Sequence, residues 1–183
     1  MNTTNGRIAE QSKQAFINAL LTIMKQYDYR EITITQIAQE AQLSRKTFYR
    51  LFSDKDAIII LLFENLLNNL MTQIRENDIH HYWEVVQIYF DFWEAQGQLL
   101  SLIKRNGLLT LLSECMYQHS QEVFKCVRSN EIAHVFSREL PYLLAYAVGG
   151  MQSMLLKWIE DDMQIPSSEI ITKLKAGFMS IDI

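Results

Sequence analysis

Glycine and proline are scarce, six and two in 183 residues. Sheet proteins turn every few residues, and their turns lean on these two residue types. The shortage excludes most all-β architectures. With long runs rich in Leu, Ile, Met, Gln and Lys, it predicts an all-α chain of about nine helices. Cysteine is scarce too: Cys115 and Cys126 are too few for a disulfide framework, so free thiols are expected. No charged segment leads into an apolar stretch at the N-terminus, which argues against a signal peptide. No apolar run reaches the ~20 residues a bilayer requires. Residues 99–112 are the greasiest, and Lys104 and Arg105 interrupt them. A soluble, cytoplasmic chain without a membrane partner follows as the expectation. Also missing are a Gly-rich phosphate loop, an HExxH motif, a defensible Ser/His/Asp order and an obvious carboxylate pair. Neither an enzyme nor a cofactor is expected.

Positive charge is in deficit overall, with a net charge of −4, but the deficit is uneven. Residues 1–55 hold eight Lys/Arg against five acids, hence +3, which leaves −7 on the remainder. A basic head on an acidic body suggests that the head alone meets a polyanion. The chain divides accordingly into a head, residues 1–53, and a body, residues 54–183.

In the head, Ala15, Phe16, Ala19, Leu20 and Ile23 make one apolar face of a first helix over residues 8–26. Asp28 suits a left-handed position at its end. Thr33 and Gln36 have the spacing of a capping box, opening a short helix with Ile37, Ala38 and Ala41 inward. "AQL" allows only a turn, and Ser44 caps a second short helix through "RKTFYRLF". Two short helices joined by about three residues form a helix-turn-helix, whose second helix reads the DNA major groove. Phe48 and Phe52, four apart, pack inward on Ile37, Ala41 and Leu43, while Arg45, Lys46 and Tyr49 point out. Thr33, Gln36, Ser44 and Arg50 join them in the candidate DNA-binding set.

The stretch "ITITQIAQEAQLSRKTFYRLFSDKDAII" resembles the DNA-binding domain of TetR-family transcriptional regulators over about residues 10–65. The resemblance implies an all-helical homodimer that binds a palindromic operator, usually as a repressor released by a small ligand. By position it makes Arg45, Lys46 and Thr47 groove-facing or base-reading, and Tyr49 and Lys55 phosphate contacts. The N-terminus of the fourth helix, near Ser53 and Asp54, would add N–H groups to a phosphate. Gln42 stands where the family often has Gly, and Leu51 where it often has His or Tyr. These departures leave room for a protein-interaction module or coactivator controlled by a partner protein. "AVGGMQSMLLKWIEDDMQIPSSEI" resembles a low-GC Gram-positive branch that includes regulators similar to those of dihydroxyacetone kinase operons.

In the body, residues 82–93, "YWEVVQIYFDFW", are dense in aromatics. They read either as core or as a ligand pocket of Trp83, Tyr89, Phe92 and Trp93, joined by Met116 and Tyr117. Cys115 and His119 share a helical face, with His80, His81, Cys126 and His134 as further donors. Without a tight cluster, packing is the preferred reading and no metal is expected. Gly97 and Gly107 suit helix C-caps. Ala145, Gly149 and Ser153 form a small-residue ridge on a helix opened by Pro141, and a last helix after Pro166, capped by Ser167 or Ser168, carries Ile171, Leu174, Phe178 and Ile181. In the resembled family these last two helices pair with the partner subunit; packing within the chain is the competing reading. Ala145, Gly149, Ser153, Ile171, Leu174 and Phe178 are the candidate dimer residues.

Overall fold

Helical periodicity is realised throughout: among the described residues there are nine α-helices, one 3-10 turn and no strand. The structure is a computed structural model that describes residues 3–77, 79, 81–126 and 140–180. The chain forms two compact units, Met1–Asn65 and Leu66–Ile183.

The first unit holds α1 (Thr3–Met24), a 3-10 turn (Tyr29–Glu31), α2 (Ile34–Glu40), α3 (Arg45–Leu51) and the start of α4 (Asp56–Glu76). The apolar stripe of α1 buries Phe16, Ile17, Ala19, Leu20, Ile23 and Met24. Phe16 is the hub: its ring meets Phe48 at 5.4 Å and Phe52 at 5.9 Å, both edge-on. Such edge contacts add about 0.5–1.5 kcal/mol beyond the area they bury.

Local capping follows the sequence closely. Thr33 accepts the Gln36 N–H at 3.3 Å, and the Gln36 side-chain oxygen accepts the Thr33 N–H at 2.8 Å. Ser44 accepts the Thr47 N–H at 3.0 Å. Asp28 departs from expectation. It is extended, with φ −63°, and its carboxylate accepts the Arg30 N–H at 2.8 Å, capping the 3-10 turn instead of ending α1. Bonding to Arg30 holds that carboxyl at about 2, well below its usual range. The left-handed position is Gln42, at φ +54°. There the Leu43 N–H donates to Ala38 O (2.9 Å) and the Gln42 N–H to Gln39 O (3.0 Å), the paired bonds that close a helix C-terminus.

In the second unit α4 continues, followed by α5 (Tyr82–Ala95), α6 (Gly97–Arg105), α7 (Leu109–Cys126), α8 (Leu140–Glu160) and α9 (Ser167–Ser180). α9 packs on α5, and α8 packs on both α6 and α7. Gly107, at φ +71°, ends α6 as expected. Gly97 does not end α5; Gln96 does, and Gly97 opens α6. Ser167 is the first residue of α9, not its cap. Its N–H donates to the Glu94 carboxylate at 3.0 Å, so a side chain of α5 satisfies that helix start.

Among the described residues the helix long and apolar enough to be tested as a membrane span is α4, which lies outside residues 99–112. By length and composition it could cross a membrane, with a mean hydropathy of 1.4 over its best stretch. Ile58, Ile59, Phe63, Leu67, Leu70, Met71 and Ile74 are all buried within the fold, which identifies it as a core helix.

Replacing Gln42 with Gly should raise stability by about 0.5–1 kcal/mol. Relief of left-handed strain, ~1–2 kcal/mol, outweighs the added chain entropy. Urea unfolding checks it, and a loss of stability would contradict the strain.

Candidate functional site

Burying Phe48 completely decides what α3 shows to solvent. Arg45, Lys46, Tyr49 and Arg50 are exposed, with Tyr49 at 53%. Thr47 is half-buried, and its hydroxyl lies 2.9 Å from that of Ser44. The Arg45 guanidinium stands 6.0 Å from the Tyr49 ring centre, so the two are neighbours on one exposed face. Thr33, Gln36 and Ser44 are exposed but occupied in caps. Three cations and a phenol on the second helix of a helix-turn-helix match what phosphates and base edges require.

Lys55 stands apart from that group. Its ammonium donates to three carbonyls: Tyr29 at 2.6 Å, Ile32 at 3.0 Å and Arg30 at 3.2 Å. It also lies 4.6 Å from the Tyr29 ring centre. An ammonium has three protons, and here all three face the 3-10 turn. Lys55 is therefore a clamp, and the phosphate role expected for it does not fit this geometry. Next to it, the Tyr29 hydroxyl donates to Asp56 in a short bond. Burial, then that carboxylate, pushes the phenol well above its ordinary range. The start of α4 is filled too: Asp54 accepts the Ala57 N–H at 2.9 Å. A carboxylate thus already accepts from one N–H of the helix start at which a phosphate contact was expected.

The body holds an enclosed cavity of about 30 Å³. Its lining comes from four helices: Leu67, Leu70 and Met71 on α4, Tyr89 on α5, Met116 and His119 on α7, and Val148, Met151 and Gln152 on α8. Each of α4 and α8 contributes residues spaced i, i+3 and i+4, a pattern visible in sequence. That the triplets meet at one point was not visible. Of the aromatic candidates, only Tyr89 reaches this cavity, together with Met116. Phe92 and Trp93 are core. Trp83 lies in an open surface groove, 5.7 Å from the Lys175 ammonium. Tyr117, 75% exposed, faces away from any buried site, which corrects its inclusion.

Two buried polar atoms, the Tyr89 hydroxyl and the Trp93 indole nitrogen, have no hydrogen-bond partner among the described residues. Burial pushes the Tyr89 phenol far up; the neighbouring indole opposes that shift but does not reach hydrogen-bond geometry. The His119 Nδ1 lies 2.9 Å from Cys115 O, which makes it the donor and leaves Nε2 as the other ring position. The Gln152 amide donates to Ser113 O and Oγ, both at 2.9 Å. Among the described residues no three His, Cys, Asp or Glu stand close enough to hold a metal; His80 and His134 lie outside them, as does the side chain of Cys126.

The small-residue ridge is on the surface. Ala145, Gly149 and Ser153 are exposed, on a face that also presents Tyr142 and Tyr146. A Cβ added at Gly149 meets nothing within 4 Å, so among the described residues no helix of the same chain packs there. Leu174 is half-buried. Ile171 is 2% exposed and belongs to the chain's own core, which removes it from the exposed face. The side chain of Phe178 lies outside the described residues, as does Ile181.

An all-helical chain with this helix-turn-helix has the architecture of the transcription-regulator class. Residues 16–62 match the family of bacterial regulatory proteins called tetR, and residues 94–178 match a transcriptional regulator C-terminal region. These matches give the chain a TetR-family N-terminal domain and a transcriptional-regulator C-terminal region. The HTH-type transcriptional regulator HbdR of Aromatoleum sp. (strain CIB) is 32% identical over 71 residues, 39% of this chain. The match spans about a third of that relative's length, 31%. In fold, the chain is similar to a fatty acid degradation regulator, FadR, from Bacillus halodurans. The TM-score is 0.61 at 15% identity, over 88% of this chain and 90% of that one. It is also similar to a tetR-family regulator from Streptomyces coelicolor, with a TM-score of 0.52 at 20% identity, over 90% and 77%.

Replacing Lys55 with Met should destabilise the protein by about 1–3 kcal/mol, the range for hydrogen bonds to a charged group. It should leave the salt dependence of DNA binding unchanged. A phosphate-binding lysine would behave in the opposite way, flattening the salt slope by about one unit at constant stability.

Proposed function

We propose that the chain is a homodimeric repressor that binds a palindromic operator and is released from it by a small ligand in the body. The observation that carries this reading is the exposed Arg45, Lys46, Tyr49 and Arg50 on α3, held outward by the buried Phe48. Arg45 and Lys46, in the first turn of α3, are the proposed base readers, since such helices read bases with their N-terminal residues. Tyr49 and Arg50 are the proposed backbone contacts. In a dimer the two α3 helices would sit about 34 Å apart, one turn of DNA.

The proposed dimer face lies on α8. Tyr142, Tyr146, Gly149 and Ser153 follow one side of the helix and are all exposed. Large aromatics beside small residues let a second helix approach closely while burying apolar area. For the switch, α4 is continuous and contributes residues to both units: Ile58, Ile59 and Phe63 to the first, Leu67, Leu70 and Met71 to the second. A ligand moves such an equilibrium only through its preference for one state, and a change from 1:99 to 99:1 needs about 5.5 kcal/mol.

A gel shift with the DNA upstream of the protein's own gene tests the reading directly. Arg45→Ala should weaken operator binding by roughly 1–3 kcal/mol and random DNA far less; equal losses on both would exclude base reading. Gly149→Leu should leave the isolated fold intact, because its Cβ has open space. It should nevertheless weaken the dimer and DNA binding together. A variant that sediments as a full dimer would place the interface elsewhere.

A further inference from the structure

The helix-turn-helix runs from Thr33, which caps α2, to Phe52, which caps α3. Tyr29, Arg30 and Ile32 lie just before it, and Lys55 and Asp56 just after it. These two flanks are tied to each other in both directions. From the exit side, the Lys55 ammonium donates to the carbonyls of Tyr29, Arg30 and Ile32 at 2.6, 3.2 and 3.0 Å. From the entry side, the Tyr29 hydroxyl donates to the Asp56 carboxylate. Hydrogen bonds with one charged partner are roughly twice as strong as neutral ones. All four contacts are of that kind, and the Lys55 ammonium also lies 4.6 Å from the centre of the Tyr29 ring.

Tyr29 is 5% exposed. Burial, then the Asp56 carboxylate, pushes its phenol far up, so the hydroxyl keeps its proton and stays the donor. The entry to α2 is therefore fastened to the start of α4 at a point outside both helices. A second fastening is the ring cluster: Phe48 in the middle of α3 and Phe52 at its end, both against Phe16. A seven-residue helix held by Phe48 and Phe52 alone can still tilt about that contact. Fixing the flanks of the unit removes this freedom.

Tilt matters differently to the two kinds of DNA contact. Base edges are read by side chains in a fixed donor and acceptor geometry, which tolerates displacements of only about 0.5 Å. Attraction to phosphates comes from charge and counterion release and survives a shifted helix. A loosened α3 thus loses discrimination before it loses affinity for DNA in general.

We propose that Tyr29, Lys55 and Asp56 are positioning residues, a clasp that closes the helix-turn-helix and holds α3 at the tilt base reading requires, without touching DNA themselves. The proposal rests on the operator-binding reading above and names residues that set its precision.

The test compares the full chain on two duplexes of equal length, the DNA upstream of its own gene and a random sequence, at a temperature where the variants are folded by circular dichroism. Tyr29→Phe keeps the buried ring and leaves Asp56, which is exposed, to water. It should cut the preference for the upstream DNA about tenfold, roughly the worth of one base contact. Affinity for random DNA and its salt dependence should stay unchanged. Asp56→Ala should act alike, and the two together should do no more than either alone, since both remove the same bond. Asp56→Asn loses the charge as Asp56→Ala does but keeps an acceptor oxygen, so it should restore most of the preference. If Tyr29→Phe does not fold, the Asp56 pair decides. Full preference in the variants, equal losses on both duplexes, or a loss in Asp56→Asn as large as in Asp56→Ala overturns the proposal alone and leaves the three residues a purely structural role. A wild type without preference for the upstream DNA overturns the operator-binding reading and the proposal with it.

Discussion

Phe48 at the centre of the first unit is the constraint from which the DNA-binding face follows. A seven-residue helix has room for one buried face, and Phe48 takes it, wedged against Phe16 from α1 and with Phe52 alongside. With that ring inside, Lys46 falls on the opposite side of the helix, and Arg45 and Tyr49, which flank Phe48, stay exposed. The same packing ties α3 to α1, so the pitch of the exposed face is set by a core contact and not by the charges on it. Charged side chains on a solvated helix contribute little to stability. They are free to be selected for what they bind.

What was legible in the sequence was what is local. Thr33 with Gln36, and Ser44 with Thr47, lie three residues apart and cap the same backbone they belong to. The turn at "AQL" was equally readable, but its left-handed residue, Gln42, was signalled only by the glycine common at that position in the resembled family. Lys55 was misread for the opposite reason. Its partners are carbonyls 23 to 26 residues away, and no local pattern marks a lysine as belonging to them. Ser167 is similar: its N–H is served by Glu94, 73 residues earlier. Asp28 failed more instructively. Its residue type favours two competing roles, a left-handed helix end and the cap of a following turn. The arginine two residues on favours the second.

The aromatic run in α5 shows where periodicity stops being informative. Residues at 3.6 spacing identify an inward face, and Tyr89, Phe90 and Trp93 are indeed inside. Whether such a face lines a cavity depends on what stands opposite, and that is a property of four helices at once. The cavity residues the sequence did not suggest, from Leu67 to Gln152, are ordinary core types. Nothing in their residue types sets them apart from the rest of the core.

Gly149 and Gly150 carry the argument beyond a single chain. Both lie inside a 21-residue helix, where each costs about 1 kcal/mol relative to alanine. Glycine in a helix is usually compensated by close approach of a neighbour that a Cβ would obstruct. Here a Cβ at either position meets nothing within 4 Å, so the chain itself offers no such compensation among its described residues. Tyrosines at 142 and 146 extend the same face and are largely exposed among the described residues. A helix that is weakened at its middle and apolar on its outside is poorly explained as a solvent-facing surface. Both features become favourable once a second helix crosses at the glycines and covers the tyrosines, which is the geometry the proposed homodimer supplies.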